Sequence, residues 1–300
     1  MIYPQHISLC TSTIENAGYV NRTSGVVRGR RLVTASYSIM YLASWKFFVF
    51  ENPEGVLGEM GTVFWILEGI LYTVFLTGDW CDFLGVPWIT GTDWYMYSSI
   101  CKYAALLICV WYGCRLGWQK GNRKQKVLCG VLLFAAVADY FLLFTDSFIL
   151  GILFFCIVQC CYCLFFAGKK GSRVWYRMAG IGICVAVLVW CLIQAGIFGD
   201  AAGWKNTELC LILTAVFYAS LLLQNLVRAW KQSKAVSVWG RVAILLLFLC
   251  DIHVALYNID GERLWQQLQL WCEAAGVLMW MFYLPSQLCI IKCIQGKKYL

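Results

Sequence analysis

Eight apolar runs of about twenty residues each dominate this chain and leave it little choice of fold. A bilayer core of about 30 Å needs about 20 apolar residues to cross it as helix. Runs of that length lie at 60–78, 96–114, 127–145, 147–167, 178–198, 208–227, 238–257 and 267–291. The loops between them are too short to form a soluble domain. Composition supports the same reading. Of 300 residues, 61% belong to the set AVILMFWYC and 13% are charged, whereas a soluble domain is roughly 45–50% apolar and about 25% charged. The expected fold is all-α, a polytopic transmembrane helical bundle of eight core spans plus an extra N-terminal apolar helix. That extra segment, 32–50, is long enough to be a ninth span, but its sequence also suits a helix lying in the interface. The expected organisation is an N-terminal extension over 1–57, an eight-helix domain over 58–295 and a tail over 296–300. Residues 1–31 are polar and carry no apolar core before a small-residue cleavage site, so no signal peptide is expected.

The net charge is +8, from 24 basic and 16 acidic residues. A basic balance can mean nucleic acid, but the placement of these charges gives another cause. Sixteen of the basic residues fall in segments 115–126, 168–177, 228–241 and 292–298. The alternate loops hold only Lys205 and Arg263, beside Asp79, Asp82, Asp93, Asp146, Asp200, Glu208, Asp260 and Glu262. The positive-inside rule puts the first set, and with it the C-terminus, in the cytoplasm of a multi-pass protein of the cell membrane. Aromatic residues lie in the spans rather than among the basic loops, so no nucleic-acid partner is expected. Most of the 17 cysteines lie in apolar runs and read as small buried hydrophobes rather than a disulfide framework.

Charged groups inside spans are costly and are functional by default. Here they are Glu68, Lys102, Asp139, Asp251 and Glu273, joined by His253. Asp139 precedes Asp146 by seven residues, Asp251 precedes Asn258 by seven, Glu273 follows Gln266 by seven and Lys102 follows Tyr95 by seven. At 1.5 Å per residue all four lie about 10 Å below the outer boundary, with Glu68 a little deeper. Two readings follow: ion pairs that hold helices together, or a polar pocket in the outer half of the membrane. The segments ADYFLLF (138–144) and CDIHVALYN (250–258) each place Asp after a small residue, late in a span.

These residues resemble a known pattern. Ala138-Asp139 late in the third span, Gly151, Phe155, Gln159, Tyr162 and Phe166 along the fourth, Cys250-Asp251 in the seventh, and Tyr283 with Gln287 in the eighth follow one another in a recognisable order. The chain resembles the YhhN-like, or lysoplasmalogenase, family of membrane proteins over about residues 58–295, as a divergent member. That family has His where Gln159 stands, Lys-Pro-Leu where this chain has Lys102-Tyr103-Ala104, and Ser where Cys250 stands. Gln cannot shuttle a proton near neutral pH, although it can orient water. Independently of the family, steps of four, four, three and four keep Gly151 to Phe166 on one helix face, and Gly151 permits close helix approach. Gln159, about 18 Å from the outer end, must bond a neighbour or a substrate.

The resemblance implies hydrolysis of the vinyl ether of a lysoplasmalogen to a fatty aldehyde and a glycerophospho-head group. That bond yields to acid and needs one protonated acid and one carboxylate, close to glycosidic cleavage by two carboxyls. Asp139 and Asp251 are the candidate catalytic pair. Lys102, Gln159, Tyr162, Tyr283, Gln287, Glu68 and Glu273 are the candidate substrate-binding residues, and the partner is a lysolipid or other amphiphile among membrane lipids. No cofactor is implied. Cys160-Cys161-Tyr162-Cys163 suggests a metal box, but its sulfurs point about 100° apart per residue and cannot converge on one ion. His253, two residues from Asp251, faces away from it. No Gly-x-Ser-x-Gly, His-Glu-x-x-His or phosphate-binding glycine loop is present. A transporter or lipid-binding protein using the same polar plane is the alternative; broken helices would favour it, and only Pro285 interrupts a span.

Overall fold

The computed structural model describes residues 56–90, 93–145, 147–167, 171–194, 206–231, 237–258 and 266–296. The 32–50 segment and the 1–31 region lie outside these residues, as do Asp146, Asp200, Lys205, Asp260, Glu262 and Arg263. Every element among the described residues is a helix: α1 (Val56–Phe83), α2 (Pro87–Thr90), α3 (Trp94–Lys120), α4 (Arg123–Phe144), α5 (Phe148–Ala167), α6 (Gly171–Gln194), α7 (Asn206–Lys231), α8 (Val238–Tyr257) and α9 (Gln266–Gln295). All but α2 are long and apolar enough to cross a membrane. They are helices because hydrocarbon offers a backbone N–H no partner except its own i−4 carbonyl.

Eight core spans were expected and eight are found among the described residues, but several helices outrun their apolar runs. The α1 helix continues through Asp79 and Asp82, which read as loop in the sequence. The α3 helix carries on past Arg115 to Lys120. Only Gly121 and Asn122 separate it from α4, whose first turn is opened by a capping box. The Asn122 side chain accepts from the Gln125 N–H at 3.1 Å, and the Gln125 side chain accepts from the Asn122 N–H at 2.8 Å. The same Gln125 donates through Nε2 to the Ile294 carbonyl at 2.7 Å, tying this turn to the end of α9.

The described residues divide between Leu71 and Tyr72 into two compact units. The smaller one contains residues 56–71 of α1, with Phe64 packed edge-on against Trp65 at 5.0 Å and with Glu68. In the larger unit each helix packs on the next around a ring, α3 on α4, α4 on α5, α5 on α7, α7 on α8, α8 on α9 and α9 back on α3. The α6 helix packs outside this ring against α5 and α7. Its position explains why Ile181, Ile183, Val185, Val187, Leu188 and Trp190 are exposed; in a bilayer that surface faces lipid. In α9, by contrast, every residue from Tyr283 to Ile294 is buried.

Pro285 sits inside α9. Proline has no N–H, so the carbonyl four residues earlier, that of Met281, loses its helical donor. The Tyr72 hydroxyl takes the place, donating to the Met281 carbonyl at 3.1 Å. The break in the ladder is thus filled by a side chain, as a membrane interior requires.

Candidate functional site

Two aspartates enter the ring from α4 and α8, and each is held by a tyrosine from a neighbouring helix. The Tyr283 hydroxyl of α9 donates to Oδ2 of Asp139. The Tyr218 hydroxyl of α7 donates to Oδ2 of Asp251 at 2.6 Å. A hydroxyl donating to a carboxylate makes a short, charge-assisted bond that fixes the carboxyl plane. The Phe155 ring of α5 lies between the two pairs, 5.9 Å from Tyr218 and 6.3 Å from Tyr283 between ring centroids. The carboxyls are within electrostatic reach of one another, and the Cys250 thiol is within reach of both. Asp139 is buried; Asp251 is partly exposed.

The α5 helix brings its candidate face to this centre. Gly151 is required there: a Cβ at that position would lie 2.6 Å from Leu142 Cδ2 and 3.3 Å from the Ala138 carbonyl oxygen. Glycine therefore lets α5 close on α4 beside Asp139. Two turns on, Gln159 is fully buried. Asn225 Nδ2 of α7 donates to its backbone carbonyl at 2.9 Å and to its Oε1 at 3.0 Å. The Gln159 amide nitrogen approaches the Tyr218 hydroxyl without closing a hydrogen bond of good geometry. Tyr162 stacks on Phe166 at 5.8 Å and its hydroxyl approaches Ser286 of α9. Gln287, one turn beyond Tyr283, is buried.

Lys102 does not stand alone at the level of the carboxyls. Its Nζ pairs with Oδ2 of Asp79 at 2.7 Å, with both side chains about 10% exposed. It also lies over the Trp280 ring at 5.1 Å and the Phe75 ring at 5.8 Å. Asp79 is further engaged at Oδ1 by Trp94 Nε1 at 3.0 Å and by the Ser98 hydroxyl at 2.6 Å. Trp280 packs edge-on against Tyr283 at 5.3 Å, so one aromatic wall joins the ion pair to Asp139.

The structure thus brings Asp139, Asp251, Gln159, Tyr283 and, through Trp280, Lys102 into one connected cluster, with Tyr162 and Gln287 on its flank. It does not bring Glu273 there. Glu273 is exposed and precedes Tyr283 by ten residues, about 15 Å along the helix. The reason is length. With 30 residues, α9 is about 45 Å long, so counting from its start placed Glu273 too deep. Glu68 belongs to the smaller unit. His253 Nδ1 bonds the Leu249 carbonyl of its own helix at 2.7 Å, and its ring stacks on Phe282. Because a carbonyl can only accept, Nδ1 carries the proton.

Four participants escaped the sequence reading: Tyr218, Asn225, Asp79 and Trp280. A signal existed for the first two. Tyr218 and Asn225 are seven apart, on the same buried stripe of α7 as Leu221, Leu222 and Ala229. Polar groups two turns apart on the buried face of an apolar span must meet partners.

Among curated proteins and among solved structures nothing matches this chain. The model of the YhhN family, however, matches residues 94–294. The match begins at Trp94, shorter at its N-terminal side than the resemblance read from the motifs. It takes in the ring from α3 to α9, both aspartates and both tyrosines, and leaves out α1 with Asp79. A match over most of the chain, laid on this ring, shows that the protein belongs to the YhhN family.

Proposed function

We propose that this protein is an integral membrane hydrolase that cleaves the vinyl ether bond of lysoplasmalogen-type lysolipids. The observation that carries the reading is the pair of aspartates, Asp139 and Asp251, each oriented by a tyrosine hydroxyl on either side of Phe155. Vinyl ether hydrolysis starts with a proton delivered to the carbon distant from the ether oxygen. The result is an oxocarbenium ion, for which a nearby carboxylate is the natural stabiliser. Water then adds to the cationic carbon and gives up a proton to that carboxylate. The hemiacetal so formed passes its hydroxyl proton back to the carboxyl that protonated the substrate as its bond to the glycerol oxygen breaks; the glycerol oxygen takes the proton that the other carboxyl received from water, and the fatty aldehyde leaves. Two carboxyls with separate roles suffice, as in glycosidic cleavage. Asp251, the more exposed, is assigned to the water, and Asp139 to the proton. Phe155 and the surrounding apolar side chains suit an acyl chain.

The test is purified protein in detergent given lysoplasmalogen, with free aldehyde measured. Release that depends on the protein supports the hydrolase. A transporter or lipid-binding protein using the same cluster is the second reading; the broken helices that would favour it are not seen at Pro285, through which α9 runs unbroken. Saturable lysolipid binding with no aldehyde would put it first.

A further inference from the structure

One level below the carboxyls, three buried amides have polar atoms without a hydrogen-bond partner among the described residues. They are Gln159 Nε2, Asn225 Oδ1 and Gln287 Oε1, on side chains no more than 2% exposed. They come from α5, α7 and α9, three helices of the same ring. Phe155, Tyr218 and Tyr283 mark the level of the carboxyls. Gln159 lies four residues beyond Phe155, Asn225 seven beyond Tyr218 and Gln287 four beyond Tyr283. At 1.5 Å per residue these steps are about 6, 10 and 6 Å. All three run the same way, toward the ends of α7 and α9 that carry Arg228, Lys231 and Lys292.

An orphaned amide atom keeps the full cost of its lost hydration, and hydrocarbon offers it no solvent. Three such atoms on three helices of the ring, within about 4 Å of one another in depth by this count, supply the polar partners that a buried water needs, typically two to four in number. Water can accept from Gln159 Nε2 and donate to Asn225 Oδ1 and Gln287 Oε1. The column continues in both directions. Arg228 follows Asn225 by three residues, on the same helix face, and its Nε is likewise buried and unpartnered. In the other direction the Gln159 amide approaches Tyr218, which holds Asp251.

We propose that Gln159, Asn225 and Gln287 hold a file of ordered water that runs from the Arg228 end of the ring to Asp251. Its use rests on the hydrolase reading: each ether cleaved consumes one water, and an acyl chain filling the outer side of the cluster cannot bring it. The file itself does not depend on that reading, so the two can fail separately.

The test is pulsed hydroxyl-radical labelling of the full chain in phosphatidylcholine nanodiscs, read by mass spectrometry and corrected for intrinsic side-chain reactivity. Radicals form where water is held. Tyr162 should label well above Ile244 and Leu247, which are as deeply buried as it is, and Tyr218, at 9% exposed, should label at least as strongly as Tyr162. Asn225→Leu and Gln287→Leu should bring Tyr162 and Tyr218 down to the Leu247 level while the protein elutes as a single folded species. The proposal is overturned if wild-type Tyr162 and Tyr218 label no more than Leu247, or if both folded variants label like wild type. Should the variants fail to fold, the wild-type comparison alone decides. Aldehyde release is measured on the same samples. Labelling without aldehyde upholds the water file and removes the hydrolase, whereas aldehyde without labelling does the reverse.

Discussion

Tyr72→Phe should destabilise this protein through a single atom. The substitution keeps the ring, and with it the edge-on contact to Phe75 at 5.5 Å, and removes only the hydroxyl that donates to the Met281 carbonyl. Tyr72 is 8% exposed, so water cannot easily replace it. Hydrogen bonds between membrane helices average about 0.6 kcal/mol and reach about 1.7. A carbonyl already deprived of its helical donor by Pro285 belongs in the upper part of that range, so a cost of about 1 kcal/mol is expected. This is roughly a fivefold change in the unfolding constant. In a Pro285→Ala background the residue 285 N–H can donate to Met281, and the same Tyr72→Phe change should then cost close to nothing. The four proteins form a double-mutant cycle with a coupling of about 1 kcal/mol. Titration of detergent-solubilised protein with sodium dodecyl sulfate, followed by the fluorescence of its 15 tryptophans, measures each unfolding constant. An equal cost in both backgrounds would show that Tyr72 does not stand in for the missing donor, and the account of how α9 tolerates its proline would be wrong.

The remaining expectations concern the cluster and its setting. Asp139→Asn and Asp251→Asn should each lower aldehyde release by about 10²–10⁴, the usual contribution of an acid or base, with elution and melting unchanged. Joint loss of folding and activity would make them structural anchors instead. Asp79→Asn leaves Lys102 charged and buried without its partner and should cost about 3–5 kcal/mol, whereas the double change Asp79→Leu with Lys102→Met should recover most of it; the detergent titration reads both. Gly151→Leu drives side-chain atoms into Leu142 and the Ala138 carbonyl and should cost about 1–3 kcal/mol, seen as a lower melting temperature; an unchanged one would contradict the close α4–α5 approach. Cysteine tags within 123–126 should react with impermeant reagents only from the cytoplasmic side, and labelling from outside would reverse the orientation.

How much of this was legible in the sequence depends on which direction the information runs. Span number came from length and apolarity, both local, and held. Asp139 and Asp251 could be paired by depth because each helix brings its residues to a level fixed by counting along it. What counting cannot supply is azimuth or partner, and there the reading stopped. Tyr218 was invisible as a ligand of Asp251 because a tyrosine in an apolar helix costs little and so attracts no notice; only its spacing to Asn225 singled it out. Glu273 shows the method's weak point, since a helix longer than the bilayer has no fixed zero from which to count. Asp79 shows another. It follows Gly78, where the apolar run ends, and so read as loop, yet the helix continues because Lys102, Trp94 and Ser98 supply the partners its carboxylate needs. A charge looks like the end of a span until its counter-charge is known, and that counter-charge lay on another helix. The same logic bears on the family match. Lys102 lies within it and Asp79 lies before it, so the cation at the edge of the cluster is neutralised from outside the matched region. A relative that keeps Lys102 without an acidic residue at the matching turn of its first helix must satisfy the ammonium in another way.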